Sequence, residues 1–157
     1  MAYRTGRNII ASVIDNIESL LQSNGWNGVS VVKGFAQAYE TELPVICVRI
    51  NTTEHNPIEV GSSLTVREPN LILDVFATSF GQAEDLKDFL VDELKAGMTY
   101  YTYTTVNGTV TGTSAGRLRV FSIKDYPVNF GSELTKIDKY DRYRWVVSMK
   151  VSTGQTE

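Results

Sequence analysis

The most informative hydrophobic pattern in the chain begins at Leu71. From Leu71 to Thr78 nearly every position is apolar, which is typical of a strand that is covered on both faces. Asp74 is the one charged residue in this run. The pattern predicts a central strand that carries a single carboxylate.

A helix is predicted directly after this strand. Ser79 and Gln82 have the spacing of a capping box, so a helix should begin at about residue 80 and extend to about residue 96. Gly97 supplies the left-handed stop. The apolar stripe expected to face the sheet is Ala83, Leu86, Leu90 and Leu94.

A second amphipathic helix is predicted at about residues 4–23. Its apolar side chains recur at steps of three and four, at Ile10, Val13, Ile14, Ile17, Leu20 and Leu21. The polar residues between them, among which are Asn8, Ser12, Asp15 and Asn16, are expected to face solvent. Asn24-Gly25 ends the helix.

Alternating patterns predict strands on either side of a polar segment. Val29–Ala38 alternates loosely and is expected to form a first strand, and Leu43–Asn51 alternates more clearly. Thr52–Ser63 contains Asn56-Pro57 and Gly61 and is interpreted as a long hairpin connection.

The C-terminal part predicts two further strands. Arg117–Lys124 is one, and the polar segment Asp125–Lys139 connects it to the other, Tyr140–Val151. The last strand places Arg142 and Arg144 on its outward side, and its length of about 40 Å exceeds that of a typical strand. We therefore expect part of it to overhang and to pair with another segment or with a neighbouring subunit.

A polar β-arm is predicted at about residues 99–116. Thr99–Val106 alternates Thr and Tyr, and Asn107-Gly108 is the strongest hairpin signal in the chain. We expect both faces of this arm to be exposed to solvent in the isolated protein. Exposed tyrosines are frequent at protein–protein contacts, whereas ordinary cross-strand Tyr–Thr pairing is the alternative interpretation of Tyr100, Tyr101 and Tyr103.

Composition places the chain among ordinary soluble domains. It has 157 residues, 42% hydrophobic and 21% charged, with a net charge of −3, which fits one domain with no general attraction to nucleic acid or to an anionic membrane. Cys47 is the single cysteine, so no internal disulfide is possible. The N-terminal residues lack a signal-peptide pattern and no run reaches the length of a membrane span, which predicts a protein that stays in the cytoplasm.

Candidate chemistry is sparse. His55 is the only histidine, and no Cys/His cluster, phosphate-binding glycine loop or nucleophile elbow is present, so we expect no catalytic, cofactor or metal site. Asp74 is interpreted as a hydrogen-bonded carboxylate of the sheet. A basic strip on adjacent strands is expected to be neutralised by nearby aspartates rather than to bind DNA; its members are Arg117, Arg119, Arg142 and Arg144.

These elements predict an α+β fold of one domain, with a mainly antiparallel sheet, two packed helices and a projecting hairpin. A leading helix, a meander, the strand–helix unit LILDVFATSFGQAEDLKDFLVDELKAG and the closing strand YRWVVSMKV together resemble the tail-terminator proteins of tailed bacteriophages, also called tail-completion or neck proteins. The resemblance covers nearly the whole chain. It is a resemblance in architecture and in length, and no site residue is carried over from the family. The long hairpin leaves open a related neck or head–tail connector component.

The resemblance implies a structural virion protein and not an enzyme. It implies a homohexameric ring, assembled in the host cytoplasm, that caps the tail tube, ends its polymerisation and joins the tail to the head connector. DNA would pass through such a ring without specific binding, and the subunit-interface candidates are Tyr100, Tyr101, Tyr103, Arg142 and Arg144. Two rivals remain: a small-molecule-binding α+β domain, and a nucleic-acid-binding module whose binding weakens with salt.

Overall fold

The computed structural model describes residues 4–128 and 139–155, and these residues form an α+β fold. The described elements, in chain order, are α1 (Thr5–Ser23), β1 (Ser30–Lys33), α2 (Phe35–Tyr39), β2 (Val45–Pro57), β3 (Thr65–Phe76), α3 (Phe80–Leu94), β4 (Met98–Val106), β5 (Thr109–Pro127) and β6 (Arg144–Ser152). The predicted α+β class is confirmed. Most of the predicted connection Asp125–Lys139 lies outside the described residues.

One mixed sheet organises the described chain. Its strand order is β1-β2-β3-β6-β5-β4, with β1 and β2 parallel and the other neighbours antiparallel. β6 lies between β3 and β5 and is paired on both sides, so the prediction that the last strand overhangs is wrong. A sequence pattern reports alternation along one strand, whereas the position of β6 depends on partners from two distant segments.

The main core lies between one face of the sheet and the helices α1 and α3. The predicted stripe of α3 is buried, and so are Ile9, Val13, Ile17 and Leu21 of α1. β3 supplies Leu71, Leu73 and Val75 to the same cluster, and β6 supplies Val147, Met149 and Val151. The predicted central strand and the two predicted helices are therefore confirmed.

The cap of α3 follows the predicted chemistry. The Ser79 side chain accepts a hydrogen bond from the Gln82 backbone N–H at 3.2 Å, and the Gln82 side-chain oxygen accepts one from the Thr78 backbone N–H at 2.9 Å. Gly97 has a φ of +88°, which favours glycine. These local contacts fix the angle at which β3 leads into α3.

Two strand predictions need correction. The predicted first strand, Val29–Ala38, is divided, because Gly34 adopts a φ of +82° and the chain then turns into the short helix α2. The polar segment Thr52–Ser63 is not simply a loop: Thr52 to Pro57 continue β2 and pair with β3. Because this extension of β2 is exposed, it lacks the apolar alternation of a half-buried strand.

Candidate assembly surfaces

The β4–β5 hairpin is fastened to the protein by polar side chains of α1. The Asn16 side chain donates to the Thr99 carbonyl at 2.8 Å and accepts from the Thr99 N–H at 3.1 Å. The Ser12 hydroxyl accepts from the Tyr101 N–H at 2.9 Å. Ser12 and Asn8 are buried, so the expectation that this side of α1 faces only solvent is wrong; Ser12 and Asn16 hydrogen-bond the edge of β4 instead.

Tyr103 forms a third link between the hairpin and α1. Its hydroxyl donates to Asp15, and its ring covers Gly112 so closely that a Cβ at Gly112 would lie 3.0 Å from Cε1. Burial, together with the charge and the hydrogen bond of Asp15, raises the pKa of Tyr103 above its ordinary value. The phenol therefore stays protonated and remains a donor at neutral pH.

The three candidate interface tyrosines lie in different environments. Tyr100 is only 4% exposed and belongs to the main core beside Met98 and Leu118, so it offers almost no surface in the single chain. Tyr101 and Tyr103 are half-buried, with ring centroids 6.2 Å apart. The expectation that the arm is wet on both faces is therefore wrong for its first half and right for its tip, which is exposed from Thr104 onward.

The two candidate arginines lie apart from the hairpin tyrosines, because β5 stands between β6 and β4 in the sheet. Arg142 lies in the turn before β6 and is half-buried. Arg144 donates to Asp74 at 2.7 Å and to Asp141 at 3.2 Å, and Arg49 donates to the other Asp74 oxygen at 2.8 Å. Asp74 is thus the hydrogen-bonded carboxylate that the sequence predicted, and Arg144 is an internal ion-pair partner rather than a freely outward cation.

The Asp74 ion-pair cluster (Arg49, Asp74, Asp141 and Arg144) stabilises the end of the sheet beside α2. The Phe35 ring lies 4.7 Å from the Arg49 guanidinium and 5.2 Å from that of Arg144. Burial alone would lower the pKa of Arg144, but the hydrogen bond and charge of Asp74 outweigh it and raise that pKa. With its carboxylate fully buried and paired twice, the cluster has the character of a structural brace.

Two hairpins leave the sheet at the same end of the molecule. β6 pairs with β3 from Asn70 onward, so the outer part of the β2–β3 hairpin extends past the ladder. β4 runs antiparallel to α1, because Asn16 contacts Thr99 and Ser12 contacts Tyr101, so its tip lies beyond the start of α1. A Cβ on Gly6 would lie 3.3 Å from Arg67 Nη1 of β3, which places the β2–β3 hairpin at that same start.

Exposed aliphatic side chains lie at or beside both hairpin tips. They are Ile58, Val60 and Leu64 on the β2–β3 hairpin, and Val106 and Val110 on the β4–β5 hairpin. Several exposed aliphatic residues at one end of a protein favour a contact surface. Sequence reasoning missed Ile58 and Val60 because they were assigned to the polar connection Thr52–Ser63. The signal that was available is that this connection carries aliphatic residues that no predicted helix or strand would bury.

The described residues contain few features that would suit a metal site or a small-molecule site. Within residues 4–128 and 139–155, no group of three or more His, Cys, Asp or Glu side chains lies close enough together to hold a metal ion. An open depression of about 370 Å³ lies between α1 and the start of β4, with Asp15, Glu93 and Arg117 among its lining residues. No described helix has the length and hydrophobicity needed to cross a membrane.

Comparison of the chain with protein-family models and with curated proteins finds no match.

Proposed function

We propose that this chain is a structural virion protein, a ring-forming tail terminator of a tailed bacteriophage. In this role it caps the tail tube, ends tube polymerisation and joins the tail to the head connector. It acts in the virion after assembly in the host cytoplasm, as a homohexamer, and it has no catalytic centre.

One observation carries the proposal: two hairpins leave the sheet at the end of the molecule where α1 starts, and both carry exposed aliphatic side chains at or beside their tips. Such side chains cost free energy in water and are favourable once a partner covers them. The tip residues are exposed in the single chain, so they are available to contact a tube or a connector. The overall charge of −3 also suits a ring through which DNA passes without being held.

The direct test uses the tail-tube protein of the same phage. Purified chain is added while tubes polymerise, and the tubes are imaged by electron microscopy. We expect a ring at one end of each tube and no further growth from that end. Tubes that keep growing, with no density added at either end, would refute the proposal, whereas a ring that binds the connector but not the tube would assign the chain to another neck component.

A second candidate function draws on the depression beside α1. Its volume of about 370 Å³ is within the range of small-ligand sites. Its lining includes Asp15, Glu93 and Arg117, which would suit a polar ligand rather than an apolar one. A monomer whose melting temperature rises with a small polar metabolite would favour this function over the terminator.

A further inference from the structure

The β4–β5 hairpin has two strand edges that carry no charge. Between Lys95 and Arg117 the sequence contains no Asp, Glu, Lys, Arg or His and no proline. Natural proteins usually protect exposed strand edges with charges, prolines or covering elements, because an unprotected edge pairs with other chains. The β2–β3 hairpin has such protection, since its outer part includes Glu54, Pro57, Arg67 and Glu68.

The hydrogen-bonding direction of each residue in β4 follows from its contacts. Thr99 and Tyr101 direct their backbone groups outward to Asn16 and Ser12 of α1. The ladder from Tyr101 to Val106 has no irregularity, so Tyr103 and Thr105 direct their groups the same way. The backbone groups of Tyr103 and Thr105 make no hydrogen bond to any described residue. α1 still lies beside Tyr103, whose hydroxyl donates to Asp15, whereas Thr105 is exposed.

β5 has a longer open edge on the other side of the hairpin. Val110, Gly112 and Ser114 stand opposite Thr105, Tyr103 and Tyr101, so their backbone groups point away from β4. β6 pairs with β5 only from Arg119 onward, and in the described part of the chain no other strand lies beside residues 110–114. The hairpin therefore has an open edge along residues 110–114 of β5 and a shorter one on β4, at Thr105, beyond the part that α1 covers.

We propose, on the basis of the ring-forming function above, that the β5 edge of one copy pairs with the outer β4 edge of the next copy. A head-to-tail contact of this kind uses both open edges of every subunit, and it closes into a ring when the rotation between copies permits. Two-fold pairing of β5 with β5 would leave each β4 edge open. The other sheet edge is less suitable, because β1 is short and Gln37 of α2 accepts from its Lys33 N–H.

Proline substitution tests each edge separately. Thr105→Pro removes an outward N–H from β4, and Ser114→Pro removes one from β5, while neither takes away a bond within the hairpin. We expect each variant to keep its melting temperature and to self-associate at least about tenfold more weakly than Thr105→Ala or Ser114→Ala, which keep the N–H. Sedimentation velocity gives the association constants.

Mixing the two proline variants gives the decisive result. Thr105→Pro retains an intact β5 edge and Ser114→Pro retains an intact β4 edge, so the mixture should form a one-to-one dimer that grows no further. Weakening by Ser114→Pro alone, no weakening by either proline, or a mixture that stays monomeric would overturn the head-to-tail pairing. So would a wild-type protein that is monomeric at its highest soluble concentration.

The proposed function and the edge pairing fail separately. If both proline variants still form rings that cap tail tubes, the pairing is wrong and the terminator function stands. If the proline variants dissociate as expected but the wild-type ring does not bind a tube, the pairing stands and the terminator function is wrong.

Discussion

Asn16→Ala should loosen the attachment of the β4–β5 hairpin to α1. The Asn16 side chain makes two hydrogen bonds to the backbone of Thr99, at 2.8 and 3.1 Å. Each contributes about 1 kcal/mol net, because both lie in a partly buried environment. Alanine is the better helix former by about 0.5 kcal/mol, which offsets part of the loss. We therefore expect a loss of about 1.5 kcal/mol in the free energy of unfolding.

Denaturant unfolding measures the loss of stability of the whole protein, and hydrogen exchange measures the local loosening of the hairpin. For a domain of this size the loss corresponds to a fall of about 3–6 °C in melting temperature. The Thr99 amide should also exchange faster, because its acceptor is gone.

The matched control is Ser23→Ala, which removes an exposed side-chain bond to the Ser19 carbonyl on the same helix. It should change stability by less than about 0.5 kcal/mol, since water replaces an exposed bond. Asn16→Ala with the stability of the control and with unchanged Thr99 exchange would refute the idea that α1 fastens the strand edge.

Three further predictions concern the sheet and its cores. Leu90→Asp should abolish cooperative unfolding monitored by circular dichroism, because Leu90 is fully buried between α3 and the sheet; a native melting temperature would contradict that placement. Asp74→Ala should cost about 3 kcal/mol in denaturant unfolding, because it leaves the Arg144 and Arg49 guanidiniums without their shared carboxylate; a cost below about 1 kcal/mol would show that the brace is dispensable. Burial, and then the charge of Asp74, raise the pKa of the Cys47 thiol from 9.0 to about 11. The folded protein therefore keeps the thiol protonated at a pH where the unfolded chain loses the proton. The stability that comes from this difference is complete below pH 9 and is lost as the pH rises towards 11. Unfolding free energies of the wild type should therefore fall more steeply over this range than those of Cys47→Ala, and equal slopes would contradict the raised pKa.

Elements with local signals were the most predictable from sequence. The start of α3 depends on Ser79 and Gln82, which lie three residues apart and cap the helix through short-range bonds. The turn at Asn107-Gly108 likewise needs positive φ at two adjacent residues, and it is found where predicted.

Features that depend on distant partners were not predictable in the same way. Tyr100 is buried because α1 and the neighbouring strand β5 pack against β4, and nothing in the Tyr/Thr alternation indicates that. Ser12 and Asn16 look like solvent-facing residues in a helical pattern, yet they satisfy a strand edge far along the chain. The polar pattern of an exposed β-ribbon explains why the outer part of β2 was assigned to a loop.

Native mass spectrometry of the purified protein tests the central claim, that the chain works by fitting against copies of itself, most directly. We expect one dominant closed species, since identical head-to-tail contacts end in a ring when the rotation between copies permits, and the proposed terminator function gives it about six times the 17.5 kDa mass of the chain. A protein that remains a monomer at every concentration would contradict the account.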